Sequence, residues 1–250
     1  MLMDSVFIEK PLLPEREAAL CAVSEEAEDV IAGLEKRGIK VLRVRRADNL
    51  PEPICSHADL QVLPLGGDLA AVNEQQEELI GELVKEGFRI IRVGEFGKEY
   101  PHDCRLNLLP IDHMLMGNTR VIPQELLVLG GFSAVNVRQG YTRCSSVLID
   151  GNTVITDDVS IGETLLNFAK YSVIMKQKEI LLEGYDHGFI GGTCGKISSS
   201  VLAFAGRIPG SEFGELLKST LEGLGISWCE LGDPALRDVG GIVPLKQRKE

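Results

Sequence analysis

His57, Asp59 and Gln61 alternate in the stretch HADLQVLPLGG, where an extended chain turns all three to one face. A carboxylate two residues from an imidazole can orient it, and an oriented imidazole exchanges protons near neutral pH. The plainer reading is a strand entry at which both side chains satisfy backbone groups. Cys194 is the candidate nucleophile. It lies in GYDHGFIGGTCGKISSS, where Gly191, Gly192 and Gly195 permit unusual backbone angles and exposed N–H groups able to stabilise a thiolate. Against this, a free cysteine is commonly a small buried hydrophobe. Asp186 and His187, just upstream, can reach the same mouth or simply form a turn. Cys144, in YTRCSS, falls on the apolar side of its segment, so core packing is expected there, although Arg143 beside it would lower its pKa.

Other chemistries fit less well. A phosphate loop of the form GxxxxGK(S/T) needs glycine where Ile190 stands and a hydroxyl where Ile197 stands, so GGTCGK reads as a kinked strand. His57, Asp59, His187 and Cys194 are types that bind zinc, but their local spacing matches no zinc motif. No metal and no cofactor is expected.

The chain that must position these residues has 250 amino acids, 44% hydrophobic and 25% charged, enough for a sizeable core in one domain over 1–250. A net charge of −11 speaks against a nucleic-acid partner, and the basic run RVRRAD (43–48) reads as a solvated strand end. The six cysteines lie far apart with no CxxC pair, as expected of reduced, mostly buried thiols in a cytoplasm. MLMDSVFIEK meets acid at Asp4 and has no cationic region, so no signal peptide is expected. No apolar run reaches the ~18 residues of a membrane span, and the tail LKQRKE reads as a frayed terminus. Nothing in the sequence indicates an oligomeric state.

A repeating unit organises the chain. His57–Val93 reads as strand, Gly-Gly turn, strand, helix capped by Asn73 and closed by Gly87, then a β-branched strand: ββαβ. It recurs from Cys104 to Val137 with a shorter helix, from Cys144 to Met175 with Asp157 or Asp158 as cap, and from Cys194 to Leu231. A fifth copy is split. AALCAVSEEAEDVIAGLEKRGIKVLRV, with Ser24 as cap, lacks its first strand, which DVGGIVPLK (238–246) supplies, leaving no unpaired edge at the join. The modules span about 54–98, 104–140, 141–183, 188–231, and 232–250 closing with 1–50. Anchored on Leu63-Pro64-Leu65 and Leu109-Pro110-Ile111, the copies align His57 with Asp103, Asp59 with Arg105, and Gln61 with Asn107. Tyr141, Arg143 and Ser145 match in the third copy, where Cys144 aligns with Leu60, and Cys194 falls level with Gln61.

Five ββαβ units around a pseudo-fivefold axis resemble the pentein fold, the five-bladed α/β propeller of the guanidino-group-modifying enzymes: amidinotransferases, arginine and agmatine deiminases and dimethylargininases. GYTRCSSVLIDGNTVITDD and GYDHGFIGGTCGKI are similar to segments of an uncharacterised bacterial branch of that fold. The resemblance implies chemistry where the first strands converge, with a cysteine attacking the guanidinium carbon, a histidine relaying protons and carboxylates clamping the cation. On that pattern Cys194 would attack, His57 would relay protons, and Asp59 with Asp103 would hold the cation. Arg105, Asn107, Arg143 and His187 would orient the substrate. One departure matters: the family's nucleophile follows a glycine run in the last module, and here DVGGIVPLK carries Ile242, Val243 and Pro244 instead. The expected function is a hydrolase or transferase acting on a cationic guanidino or amidino small molecule through a non-standard site. The alternative is a non-catalytic pentein that serves as a binding module or scaffold.

Overall fold

A computed structural model of the chain describes residues 5–249; Met1–Asp4, part of the signal-peptide reading, and Glu250 lie outside them. Among the described residues the strands form five small sheets. In the first, Val62–Gly66 runs antiparallel to Leu69–Asn73, which crosses through the helix Glu77–Lys85 to the parallel strand Arg89–Val93. Leu109–Ile111, Met114–Gly117 and Ser133–Asn136 repeat this arrangement in the second sheet around the helix Gln124–Gly130. The third has Ser146–Leu148, Thr153–Thr156 and Tyr171–Ile174 with Val159–Leu166. The fourth has Cys194–Ser198, Val201–Arg207 and Ser227–Ala235 with Glu212–Gly223.

The fifth sheet joins distant parts of the chain. Val243–Arg248 lies antiparallel to Ala18–Ser24, which pairs in parallel with Lys40–Val44 across the helix Glu28–Lys36. Ser5–Phe7 adds an outer strand. The expected frayed tail is therefore a strand. Gln247 is 6% exposed, and its side-chain oxygen accepts from Glu15 N (2.7 Å) and Arg16 N (3.1 Å).

Local chemistry explains the units. Each helix turns one stripe inward, as Leu79, Ile80 and Leu83 do in the first module, and each such side chain contributes about 1.5–3 kcal/mol by burial. Gly38 and Gly87 follow their helices with φ of 75° and 91°, a left-handed conformation that closes the last turn. Asp158 caps its helix by accepting from Ile161 N (3.0 Å). Ser24 and Asn73, expected as caps, act one turn earlier. Their side-chain oxygens accept from Glu26 N (3.2 Å) and Gln75 N (3.1 Å), and Ala27 and Gln76 occupy the cap positions.

The apolar side chains close the ring. Leu63 and Val93 of the first module pack with Leu108 and Leu126 of the second; Met116 of the second packs with Val154 and Leu165 of the third. Ile155 meets Phe204 and Leu221 across the third and fourth, and Ala203 and Leu231 meet Val23 and Leu34 across the fourth and fifth. Leu20 and Leu42 then pack with Val62 and Val72, bringing the fifth module back to the first. The result is the five-bladed α/β propeller expected from the repeat.

Candidate functional site

The polar segments that enter the modules are helical turns and not strands. Ala58–Gln61 is one turn of α-helix, His102–Cys104 a 3-10 turn, and Gly191–Thr193 another. In the third module Ser145 N donates to Tyr141 O and Ser146 N to Arg143 O, both at 3.0 Å. Neighbours on one face are then three or four residues apart instead of two. This corrects the shared face expected for His57, Asp59 and Gln61. His57 and Leu60 line one cavity together, as do Tyr141 and Cys144. Gln61 turns elsewhere, donating to Cys55 O (2.7 Å) and accepting from Gln76 Nε2 (2.6 Å).

Asp59 meets Cys144. The thiol donates to Asp59 Oδ2 at 2.6 Å, and Asn107 Nδ2 donates to the sulfur at 3.0 Å. Asn107 Oδ1 accepts from the backbone N–H groups of Arg143 (2.9 Å) and Cys144 (3.0 Å), while its Nδ2 also reaches Asp59 O (3.3 Å). One amide thus fixes the Cys144 turn and the sulfur at once. Asp59 is 1% exposed, yet its Oδ1 has no hydrogen-bond partner among the described residues. A buried carboxylate oxygen in that state is a missing-donor signal.

Asp238 completes the group from the fifth module. Its carboxylate accepts from Phe189 N and Gly240 N, each at 3.0 Å, and lies 3.7 Å from His57 Nδ1. Gly192 approaches so closely that a Cβ there would sit 2.0 Å from Asp238 Oδ1. The run DVGGI therefore enters the site through Asp238, although it carries no cysteine. Asp238 is not singled out by the sequence; the signal that could have found it is an acid two residues before the paired glycines Gly240 and Gly241.

His57, Cys144 and Asp238 open on a cavity of about 250 Å³ that Leu60, Leu182 and the rings of Tyr141, Tyr185 and Phe189 also line. The segment from Gly184 to Ile190 forms part of its wall. That segment is tied down by Phe189 N on Asp238, by Ile190 N on Asp157 Oδ2 (3.0 Å), and by Gln177 Nε2 on Gly188 O (2.8 Å).

Burial pushes the Cys144 thiol well above its ordinary range, and the charges of Asp59 and Asp238 add to it; the Asn107 donor opposes them. At rest Cys144 is a protonated thiol. Burial also raises Asp238, with Asp59 adding and His57 opposing. Asp103 is raised by burial and held back by the Tyr141 hydroxyl that donates to it.

The remaining predicted residues fall in several places. Cys194 does not line the His57 cavity: its sulfur lies 3.6 Å from Ile190 O inside an apolar cluster with Phe204, and burial pushes its thiol up to about 12. The structure holds Cys194 apart from the cavity that His57 lines, with its side chain in an apolar cluster, and brings Cys144 against Asp59. Arg143 donates to Val62 O (2.9 Å) from a buried position. Arg105 points toward Glu95 (3.6 Å), away from the cavity lining. His187 lines the cavity, with Nδ1 3.2 Å from Gly188 O. Lys196, in the rejected phosphate loop, is buried and donates to Ile149 O and Ser199 O. Arg43, Arg45 and Arg46 of the basic run are paired with glutamates at the surface. All six cysteines are free, and among the described residues no three His, Cys, Asp or Glu side chains converge as a metal would require.

A model of a family of unknown function, DUF6873, matches residues 22–243. No curated protein matches the chain. Among solved structures, the amidinotransferase SxtG of the saxitoxin biosynthetic pathway from Microseira wollei superposes with a TM-score of 0.59 at 9% identity, over 97% of this chain and 98% of that one. The inosamine-phosphate amidinotransferase StrB1 from Streptomyces griseus gives 0.62 at 12% identity, over 98% and 97%. DDAH from Pseudomonas aeruginosa, a cysteine-to-serine mutant complexed with citrulline, gives 0.54 at 11% identity, over 94% and 100%.

Proposed function

The chain belongs to the family of unknown function DUF6873 and has the pentein fold, and from that premise we propose a hydrolase or transferase of guanidino or amidino cations with Cys144 as its nucleophile. One observation carries the reading. A buried carboxylate, Asp59, holds the Cys144 thiol with one oxygen and leaves the other without a donor among the described residues, next to the cavity that Cys144 lines. A guanidinium or amidinium supplies N–H donors in a planar fork and the positive charge that the site lacks.

The charges at rest also suggest how the thiol is activated. Asp59 and Asp238 hold the proton on sulfur, so a bound cation that offsets them lowers the thiol pKa only when substrate is present. Asp59 Oδ2 takes the proton as sulfur attacks the central carbon and a C–S bond forms. The tetrahedral adduct expels an amine, which leaves with the proton from Asp59 as the C–N bond breaks. Water then adds to the S-linked cation and passes a proton to His57, whose imidazolium would be held by Asp238. C–S cleavage returns that proton to the thiol, and the hydroxyl proton goes to the released amine. Guanidinium and water thus become a ureido compound and an ammonium ion; an acceptor amine in place of water gives transfer. Asn107 holds the sulfur throughout.

The test is incubation with arginine, agmatine, alkylguanidines and benzamidine, with mass-spectrometric detection of ureido or amide product. Product that forms undiminished in Cys144→Ala would remove the mechanism. Binding without turnover of any compound would favour the binding-module alternative.

A further inference from the structure

The site's cavity also carries information about what the cation is attached to. Ile54, Leu60 and Leu182 present aliphatic surface there, and Tyr141, Tyr185 and Phe189 present rings. The Tyr141 hydroxyl is engaged by Asp103, so its ring is what remains to meet a ligand. Tyr141 and Phe189 lie 6.0 Å apart at 28°, a nearly parallel pair of flat apolar faces. Every charged or titratable group on the lining is acidic or able to be neutral: Asp186, Asp238, His57, His187, Cys144, Tyr141 and Tyr185. Among the described residues no lysine or arginine lines it. Arg143, the cation bound up in the Cys144 turn, is committed to Val62 O and does not reach the lining.

The free cations of this region line a different cavity. Arg138, Lys176 and Lys178 border a basin of about 570 Å³ together with Asp157 and Asp158, and it shares only His187 and Phe189 with the inner cavity. An anionic group inside the inner cavity would lose its water, face two carboxylates and find no counter-ion. An uncharged apolar group meets aliphatic and aromatic walls instead. The volume of about 250 Å³ sets the scale, below the roughly 300–1,000 Å³ of sites for drug-sized ligands.

We propose that the cation taken by the Asp59–Cys144 site carries a compact, uncharged apolar substituent, alkyl or aryl, and that guanidines bearing a carboxylate are discriminated against. This rests on the guanidino or amidino reading above. Leu60, Leu182 and Tyr185 are then the specificity-determining residues, and they select by apolar contact and by the absence of a counter-charge.

The experiment uses the full-length protein and measures binding of guanidinium chloride, butylguanidine, benzamidine and arginine by calorimetry, alongside protection of Cys144 from alkylation. Butylguanidine and benzamidine are expected to bind and to protect Cys144, with arginine at least about tenfold weaker. Leu182→Ala and Tyr185→Ala, both at partly exposed positions, should each weaken butylguanidine roughly fivefold more than they weaken guanidinium itself. Arginine that binds as tightly as butylguanidine, and loses affinity in Arg138→Ala, would overturn the proposal while leaving the guanidino reading intact. Failure of all four compounds to bind or protect would overturn the guanidino reading, and this inference with it.

Discussion

Cys144 and Cys194 invite comparison because their turns abut. Gly192 N donates to Cys144 O at 3.1 Å, and a Cβ on Gly191 would lie 2.2 Å from Arg143 O. Both thiols are buried, and burial raises both. Their neighbours differ. Cys194 has a backbone carbonyl, an apolar cluster and a cleft of only about 30 Å³ shared with Arg143, Ser146 and Lys196, whereas Cys144 has a carboxylate to take its proton, an amide to steady the sulfur and a cavity of about 250 Å³ in front. Burial alone makes a thiol inert; burial among groups that a ligand can rebalance makes it responsive.

The contrast predicts its largest effect in turnover. Cys144→Ala should lower product formation by more than about a thousandfold, whereas Cys194→Ala should stay within about threefold while lowering stability by roughly 1 kcal/mol. Rate assays paired with urea melts separate the two outcomes. Next comes the close approach of the fourth turn. Gly192→Ala places a Cβ 2.0 Å from Asp238 Oδ1 and should cost about 3 kcal/mol or more in denaturant unfolding; Gly210→Ala, with nothing within 4 Å, is the control.

A third effect concerns pH and the anchor between the two turns. Asp157, which accepts from Ile190 N, is pushed by burial from 3.8 to about 7. The native state therefore holds a proton that the unfolded chain releases between those values, and the stability it contributes is lost as pH rises toward 7. Asp157→Asn keeps the acceptor and removes the titration. It should match wild type near pH 4 and exceed it at pH 8 by on the order of 2 kcal/mol in urea melts. The smallest effect is kinetic. Asp59 raises the Cys144 thiol, so Asp59→Asn should speed alkylation of Cys144 at pH 8 by about tenfold, and leave Cys194 unchanged. Peptide mapping after timed alkylation reads both sites in one sample.

The modules could be read from the sequence because strand pairs, tight turns and amphipathic helices each carry a period. The axis could not. A four-residue helical turn such as Ala58–Gln61 is too short to display 3.6-residue spacing, so its alternating polar pattern reads as a strand face. Aligning Cys144 with Leu60 found equivalent positions, but both line the cavity and neither belongs to an apolar side turned away from it. Asp59 and His57 were recognisable by type. Asp238 depended on a contact between modules far apart in the chain, and Gln247 was hidden by the charged residues around it. Local pattern encodes the blades; the contents of the axis depend on which turns the closed ring brings together.

The antiparallel pairing of Val243–Arg248 with Ala18–Ser24 also orders events in time. During synthesis the early strand waits with a bare edge until Val243–Arg248 has emerged, and Asp238 reaches His57 from just ahead of that later strand. A nascent or C-terminally clipped molecule would thus lack a finished pocket, and binding competence would report that the last blade has been zipped shut.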